Sequence, residues 1–200
     1  MKLYFMPGAC SLAPHIALRE ARLPFSLVAV DYRTRQTTGG DDFHRINPKG
    51  YVPTLVLDSG EVLTEVPVIL QFVDSEMPEA ALLPASGLKR LRSLEWLNFI
   101  ATEIHKSFSP LFRPETPTSF SAPGRLHLCR RLSVVEDHLC QQEYLMGGDF
   151  SLADVYLFVL CRWLKDQDTA LADWPSLHRH SEIIGKRPSV QQAMGREGLL

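Results

Sequence analysis

The sequence predicts an α/β domain at the N-terminus followed by an all-helical domain. Three observations carry that reading. Strand-length apolar runs alternate with helical spacing over the first 80 residues. No convincing strand follows residue 88. Between the two regions, residues 78–88 hold two prolines, a glycine and small residues, as a linker does. The expected boundaries are 1–80, a linker at 81–88, and 89–200.

Each element follows from its punctuation. Residues 2–6 form a short strand, and Pro7-Gly8-Ala9 turns the chain. Residues 11–22 have helical spacing, with Leu12, Ile16 and Ala17 on the inner face. Pro24 breaks that helix, and Phe25 to Val30 is a second strand. The polar stretch Asp31 to Asp42, with Gly39-Gly40, is a loop with some helix. After the Asn47-Pro48-Lys49-Gly50 turn, Thr54 to Leu57 is a strand, Asp58-Ser59-Gly60 a tight hairpin and Val62-Leu63 the returning strand. Pro67 to Asp74 closes the region as a helix. A parallel βαβ half followed by an antiparallel hairpin and a helix is a thioredoxin-like layout.

The second domain reads as helices only. Lys89 to Lys106 is one helix, residues 109–124 with their four prolines are a loop or broken helix, and Arg125 to Cys140 is another helix. Gly147-Gly148 stops that segment. Ser151 can cap the next helix with Asp154 as the reciprocal partner, and Phe150 with Val155 can staple it. Val155 to Cys161 is apolar nearly all round, so this helix should be the buried axis of the bundle.

Composition excludes several classes. The 21 basic and 23 acidic residues leave a net charge of −2, which rules out the broad basic surface of a nucleic-acid binder. The longest apolar run, Val155 to Cys161, is seven residues, far short of a membrane span. The N-terminus has neither the long apolar core nor the cleavage site of a secretory signal. Cys10, Cys129, Cys140 and Cys161 include no C-x-x-C pair and no zinc-ligand spacing. A reducing cytoplasm and no metal are therefore expected.

Cys10 stands first among residues that could carry chemistry. It follows a strand and a Pro-Gly turn and precedes a helix. Free N–H groups and the helix dipole there favour thiolate and are expected to lower its pKa. The bland alternative is a buried cysteine acting as a small hydrophobe. No second cysteine lies three residues on, so intramolecular dithiol exchange is excluded, whereas a mixed disulfide with an external thiol is not. Ser11 is a second candidate, as a nucleophile's partner or hydrogen-bond donor, or simply a hydroxyl at a helix start.

Val52-Pro53 precedes a strand and is a candidate cis peptide; a cis bond would turn the Val52 backbone groups outward to pair with an extended peptide. A trans proline at a strand edge is the alternative. Thr64-Glu65-Val66-Pro67 opens a helix. The free N–H groups of Glu65 and Val66 suit a carboxylate, and the Glu65 side chain an ammonium; together they fit an α-amino-acid head group. Asn98, Thr102, His105 and Lys106 fall at i, i+4, i+7 and i+8, forming one polar stripe that either lines a cleft or is a solvated face. His105 and Lys106 could stabilise a thiolate there. The other histidines have no partner visible in the sequence.

Taken in order, five segments carry a family resemblance: Met1 to Leu12 around Cys10-Ser11, Asn47 to Pro53, Leu63 to Glu65, Glu95 to Lys106, and Phe150 to Asp154. They are similar to the cytosolic glutathione transferases, specifically the bacterial beta class, essentially end to end. The resemblance implies a glutathione transferase fold: a thioredoxin-like N-terminal domain plus an all-α C-terminal bundle. It also implies a homodimer with glutathione in the cleft between domains. By resemblance, Cys10 faces the glutathione sulfur, Val52 pairs with the cysteinyl part before a cis Pro53, and Glu65 and Val66 bind the γ-glutamyl end. Arg35 takes the glycyl carboxylate. Asn98, His105 and Lys106 approach the thiol and the second-substrate pocket, and Thr102 and Glu103 reach toward the partner's site.

Two departures stand out. Val66 replaces a serine common in the family and offers only its backbone N–H, which removes one hydrogen bond of about 1 kcal/mol net. Phe5 stands where the class commonly has tyrosine, so the burden of thiolate stabilisation moves to Cys10, Ser11 and His105. The implied activity is conjugation of the glutathione thiolate to small hydrophobic electrophiles. Glutaredoxin-like exchange through a Cys10 mixed disulfide, or a non-catalytic binding protein on the same fold, are the alternatives.

Overall fold

The computed structural model describes residues 1–113, 115–167 and 169–200; Pro114, one of the four prolines in the 109–124 segment, lies outside them. The chain divides into two units, one of residues 1–82 with 187–200 and one of residues 83–186. The C-terminal segment thus belongs with the mixed sheet, whereas the sequence boundaries group it with the helices. Partners far apart in the chain explain this, as described below.

In the first unit β1 (Lys2–Phe5) and β2 (Ser26–Ala29) run parallel, joined by the crossover helix α1 (Leu12–Glu20). β3 (Thr54–Val56) pairs antiparallel with β1, and β4 (Val62–Thr64) antiparallel with β3, giving the order β2-β1-β3-β4. Leu3 and Leu55 are cross-strand neighbours and both fully buried. Tyr4, on the opposite face by alternation, packs with Phe43 and Val30. The β3–β4 hairpin turns at Gly60, whose φ of 89° favours glycine. Helix α2 (Val66–Glu76) has Pro67 in its first turn, where a missing N–H costs nothing. α1 contacts both α2 and α8 (Pro188–Arg196).

The second unit is helical. Its first helix, α3 (Gly87–Phe99), passes through a π-helical turn (Ile100–His105) into α4 (Lys106–Phe112). The expected single helix to Lys106 is therefore corrected: between Ile100 and His105 the pairing widens to i→i+5, which rephases every side chain beyond it. α5 (Thr118–Leu139) begins well before the expected Arg125 and carries Pro123 inside it, as α4 carries Pro110, so among the described residues helix covers much of the proline-rich segment. α6 (Leu152–Cys161) is buried at every residue, as its apolar sequence required. The expected capping box is present: Ser151 and Asp154 hydrogen-bond reciprocally. α7 (Pro175–Gly185) packs on α5 and α6. Among the described residues, no helix is long and apolar enough to cross a membrane.

Candidate functional site

The β1–α1 turn is built from its backbone outward. Ser11 is fully buried; its hydroxyl accepts from the Met6 N–H at 3.2 Å and donates to the Met6 carbonyl at 3.3 Å. The hydroxyl proton and one of its two lone pairs thus close the turn, and one lone pair remains. Gly8 supplies a φ of 73°, and its N–H donates to Glu197 Oε2 at 3.0 Å.

That carboxylate was invisible to sequence reasoning. Glu197 Oε1 lies 2.8 Å from His15 Nδ1, with both side chains fully buried, and Arg19 Nε donates to His15 Nε2 at 3.0 Å. A guanidinium can only donate, so Nε2 accepts and the ring proton sits on Nδ1, facing Glu197. No local spacing signals a pair separated by so much chain.

Cys10, the residue that this turn presents, is 9% exposed and donates its Sγ–H to the Val52 carbonyl at 3.3 Å. Its thiol is pushed up from 9.0 to about 12, chiefly by burial. Hydrogen bonds from the Cys10 and Ser11 N–H groups act the other way, and the Glu65 charge adds to the rise. The expected lowering of this pKa is corrected: the helix-start donors are present, but desolvation outweighs them.

The loop carrying Val52 is organised by Asn47. This buried amide donates to the Tyr51 carbonyl at 2.8 Å and to Thr54 Oγ1 at 2.9 Å, and its oxygen accepts from the Lys49 N–H. The Val52–Pro53 bond is cis. Thr54 begins β3 immediately after it.

Glu65 caps α2 with φ of 70°; Pro67 has no N–H, and the Val68 and Ile69 N–H groups donate to the Glu65 carbonyl, which leaves the Val66 N–H at the helix start. Its exposed carboxylate lies 3.0 Å from Lys49 Nζ, which also donates to Thr64 Oγ1. Lys49 is thus a neighbour of Glu65 that the sequence reading did not pair with it; its place in the Asn-Pro-Lys-Gly turn is the one signal. Val66 is buried, as a side chain that offers only backbone would be. Arg35, at φ of 57°, stacks its guanidinium 4.7 Å above the exposed Tyr32 ring.

In the second unit the expected polar stripe is bound to its own helix. Asn98 Nδ2 donates to the Leu94 carbonyl and Thr102 Oγ1 to the Asn98 carbonyl. Glu103 pairs with Arg131 of α5 at 3.3 Å, so this carboxylate has a partner within its own chain. His105 Nδ1 is 2.6 Å from the Tyr156 hydroxyl, and its ring packs edge-on against Tyr156 and Trp163. Phe108 and Phe112 extend this cluster onto the same Trp163. Lys106 is exposed.

Comparison with known proteins gives a consistent answer over the whole chain. Residues 8–76 match the family model described as Glutathione S-transferase, N-terminal domain, and residues 99–188 that described as Glutathione S-transferase, C-terminal domain. The chain is 42% identical to Glutathione S-transferase GstA of Escherichia coli O157:H7, covering all of both chains. It is 43% identical to a sphingomonad glutathione S-transferase solved in complex with glutathione, with a TM-score of 0.96 and full coverage of both chains. The beta class glutathione S-transferase of Sphingomonas chungbukensis matches at 43% identity and a TM-score of 0.97, again over both full chains.

Proposed function

The chain belongs to the glutathione S-transferase family, and on that premise we propose that it is a beta-class enzyme whose first unit activates glutathione through a protonated Cys10. It conjugates glutathione to small hydrophobic electrophiles. The observation that carries this reading is the Cys10 Sγ–H donating to the Val52 carbonyl, which sets the thiol beside the backbone that an extended peptide would pair with.

When the cysteinyl N–H of glutathione takes the Val52 carbonyl, Cys10 loses its acceptor and turns its S–H toward the incoming sulfur. The glutathione thiol gives up its proton to solvent, a donor there stabilises the resulting thiolate, and Cys10 keeps its own proton. The thiolate then forms a C–S bond to the electrophilic carbon, and the halide of an aryl halide leaves with the electron pair. The γ-glutamyl carboxylate is held by the Val66 N–H at the start of α2 and its ammonium by Glu65, in exchange for Lys49. Arg35 takes the glycyl carboxylate, with Tyr32 holding its guanidinium plane. Asn98, His105 and Lys106 serve the acceptor side, with Tyr156 orienting the His105 ring. Thr102 and Glu103 serve the homodimer, Glu103 together with Arg131. Free thiols at all four cysteines support a reducing, cytoplasmic setting.

The high Cys10 pKa weighs against thiol–disulfide exchange. A thiol pushed this far up by burial stays protonated at pH 7, and the thiolate is the attacking species. Conjugation of chlorodinitrobenzene by purified protein tests the proposal. Glu65→Gln should raise the KM for glutathione more than tenfold, and Cys10→Ala should lower kcat while leaving measurable conjugation. A wild-type rate no faster than buffer would remove the proposal, and disulfide exchange outpacing conjugation would reverse the assignment.

A further inference from the structure

Away from the thiol, two guanidinium groups share a cavity without a counter-ion. The cavity has a volume of about 670 Å³ and is lined by Arg19, Arg196 and the segment from Leu23 to Leu27, all in the first unit. That volume falls within the usual span of small-molecule sites, roughly 300–1,000 Å³. Its walls combine a cationic side with an apolar one.

The Arg19 guanidinium is fixed in place. Nε donates to His15, one terminal nitrogen donates to Gln192 Oε1 at 3.3 Å, and the group lies 5.8 Å from the centre of the Phe25 ring. Arg196 is exposed at the last turn of α8.

The carboxylates nearest in sequence to these two arginines are both committed elsewhere. Glu20, beside Arg19, takes two hydrogen bonds from Arg187 and one from the Ser189 hydroxyl. Glu197, beside Arg196, spends one oxygen on Gly8 and the other on His15. Among the described residues, no carboxylate lies within ion-pair distance of Arg19 or Arg196. Two like charges facing one concavity raise its potential, and planar guanidinium groups match a carboxylate in pairs of parallel hydrogen bonds.

We propose that this cavity binds a small organic acid. Its carboxylate sits between Arg19 and Arg196, and its apolar body lies against Leu23, Pro24, Phe25 and Leu27. The site is separate from the Cys10, Val52 and Glu65 groups assigned to glutathione, so it adds a ligand to the enzyme and does not redefine its substrate.

Calorimetric titration of the full chain with phenylbutyrate, in saturating S-methylglutathione, tests the assignment. Saturable one-to-one binding is expected, weakened about tenfold in Arg196→Gln and lost in Arg196→Glu, with no binding of the uncharged phenylbutyramide. Arg196 is exposed, so both variants should keep the wild-type circular dichroism spectrum and Tm. The proposal is overturned if phenylbutyrate shows no saturable binding, if Arg196→Gln binds it as tightly as wild type, or if the amide binds equally well.

Discussion

Each unit of this protein buries one carboxylate–imidazole pair, and the two pairs do different work. In the helical unit Asp154 accepts from the Ser151 N–H and hydroxyl, the Leu145 N–H and His180 Nε2. Its partners on Ser151 are three residues away, so the cluster starts a helix. In the sheet-bearing unit Glu197 accepts from Gly8 and His15, at the far end of the chain. Its partners fasten the turn that presents Cys10 to the C-terminal segment. A buried carboxylate with local partners builds an element; one with distant partners positions a loop.

Isosteric amides separate the two roles, with the larger effect in the helical unit. Asp154→Asn places an amide N–H against buried donors of a four-bond network and should cost about 3 kcal/mol in urea unfolding, with activity per folded molecule unchanged. Glu197→Gln should cost less, about 2 kcal/mol, yet lower kcat for chlorodinitrobenzene severalfold because the Gly8 turn loosens. Equal loss of activity per folded molecule in both variants would break the distinction.

Acid and alkali sharpen it further. Burial works to raise the Glu20 carboxyl, but hydrogen bonds from Arg187 and Ser189, with the Arg187 charge, outweigh it and hold the group below its ordinary 4.5. A depressed carboxyl contributes stability that is present above the unfolded value and is lost as pH falls through the folded one. Unfolding free energy should therefore drop below pH 4.5, and less steeply in Arg187→Met. Cys10 has the opposite sign. Raised from 9.0 to about 12, it contributes stability that is fully present below pH 9 and is lost as pH rises toward 12. Alkylation of Cys10 by iodoacetamide should be slow at pH 7 and keep rising beyond pH 10, whereas an activated thiolate would react at a plateau rate near neutrality.

The smallest effects lie at two helix ends of the same design. After α1 the Leu23 N–H reaches back to the Leu18 carbonyl, and after α8 the Leu199 N–H reaches back to that of Met194. The residue that turns left-handed is Gly198 in one case (φ of 70°) and Arg22 in the other (φ of 54°). Arg22→Gly should therefore stabilise by up to about 1 kcal/mol, and Gly198→Ala should destabilise by a similar amount, read as shifts in Tm.

The elements were legible because their signals are local. Gly60 marked the hairpin, Pro67 the start of α2, and Ser151 with Asp154 the start of α6. The π turn at Ile100–His105 was not legible, since its sequence satisfies ordinary helical spacing. Neither was the long α5, which runs through Pro123 on the strength of its packing.

Sequence by itself determined the order of strands and helices and the family. Those depend on neighbours a few residues apart, or on motifs shared along the whole chain. Tertiary structure alone decided the state of the Cys10 thiol, the engagement of Ser11 with Met6, and the bond from Glu197 to the opening turn. Burial sets the first, because desolvation depends on everything packed around the sulfur, not on the helix-start donors beside it. The others arise where the folded chain brings together groups that no spacing in the sequence relates.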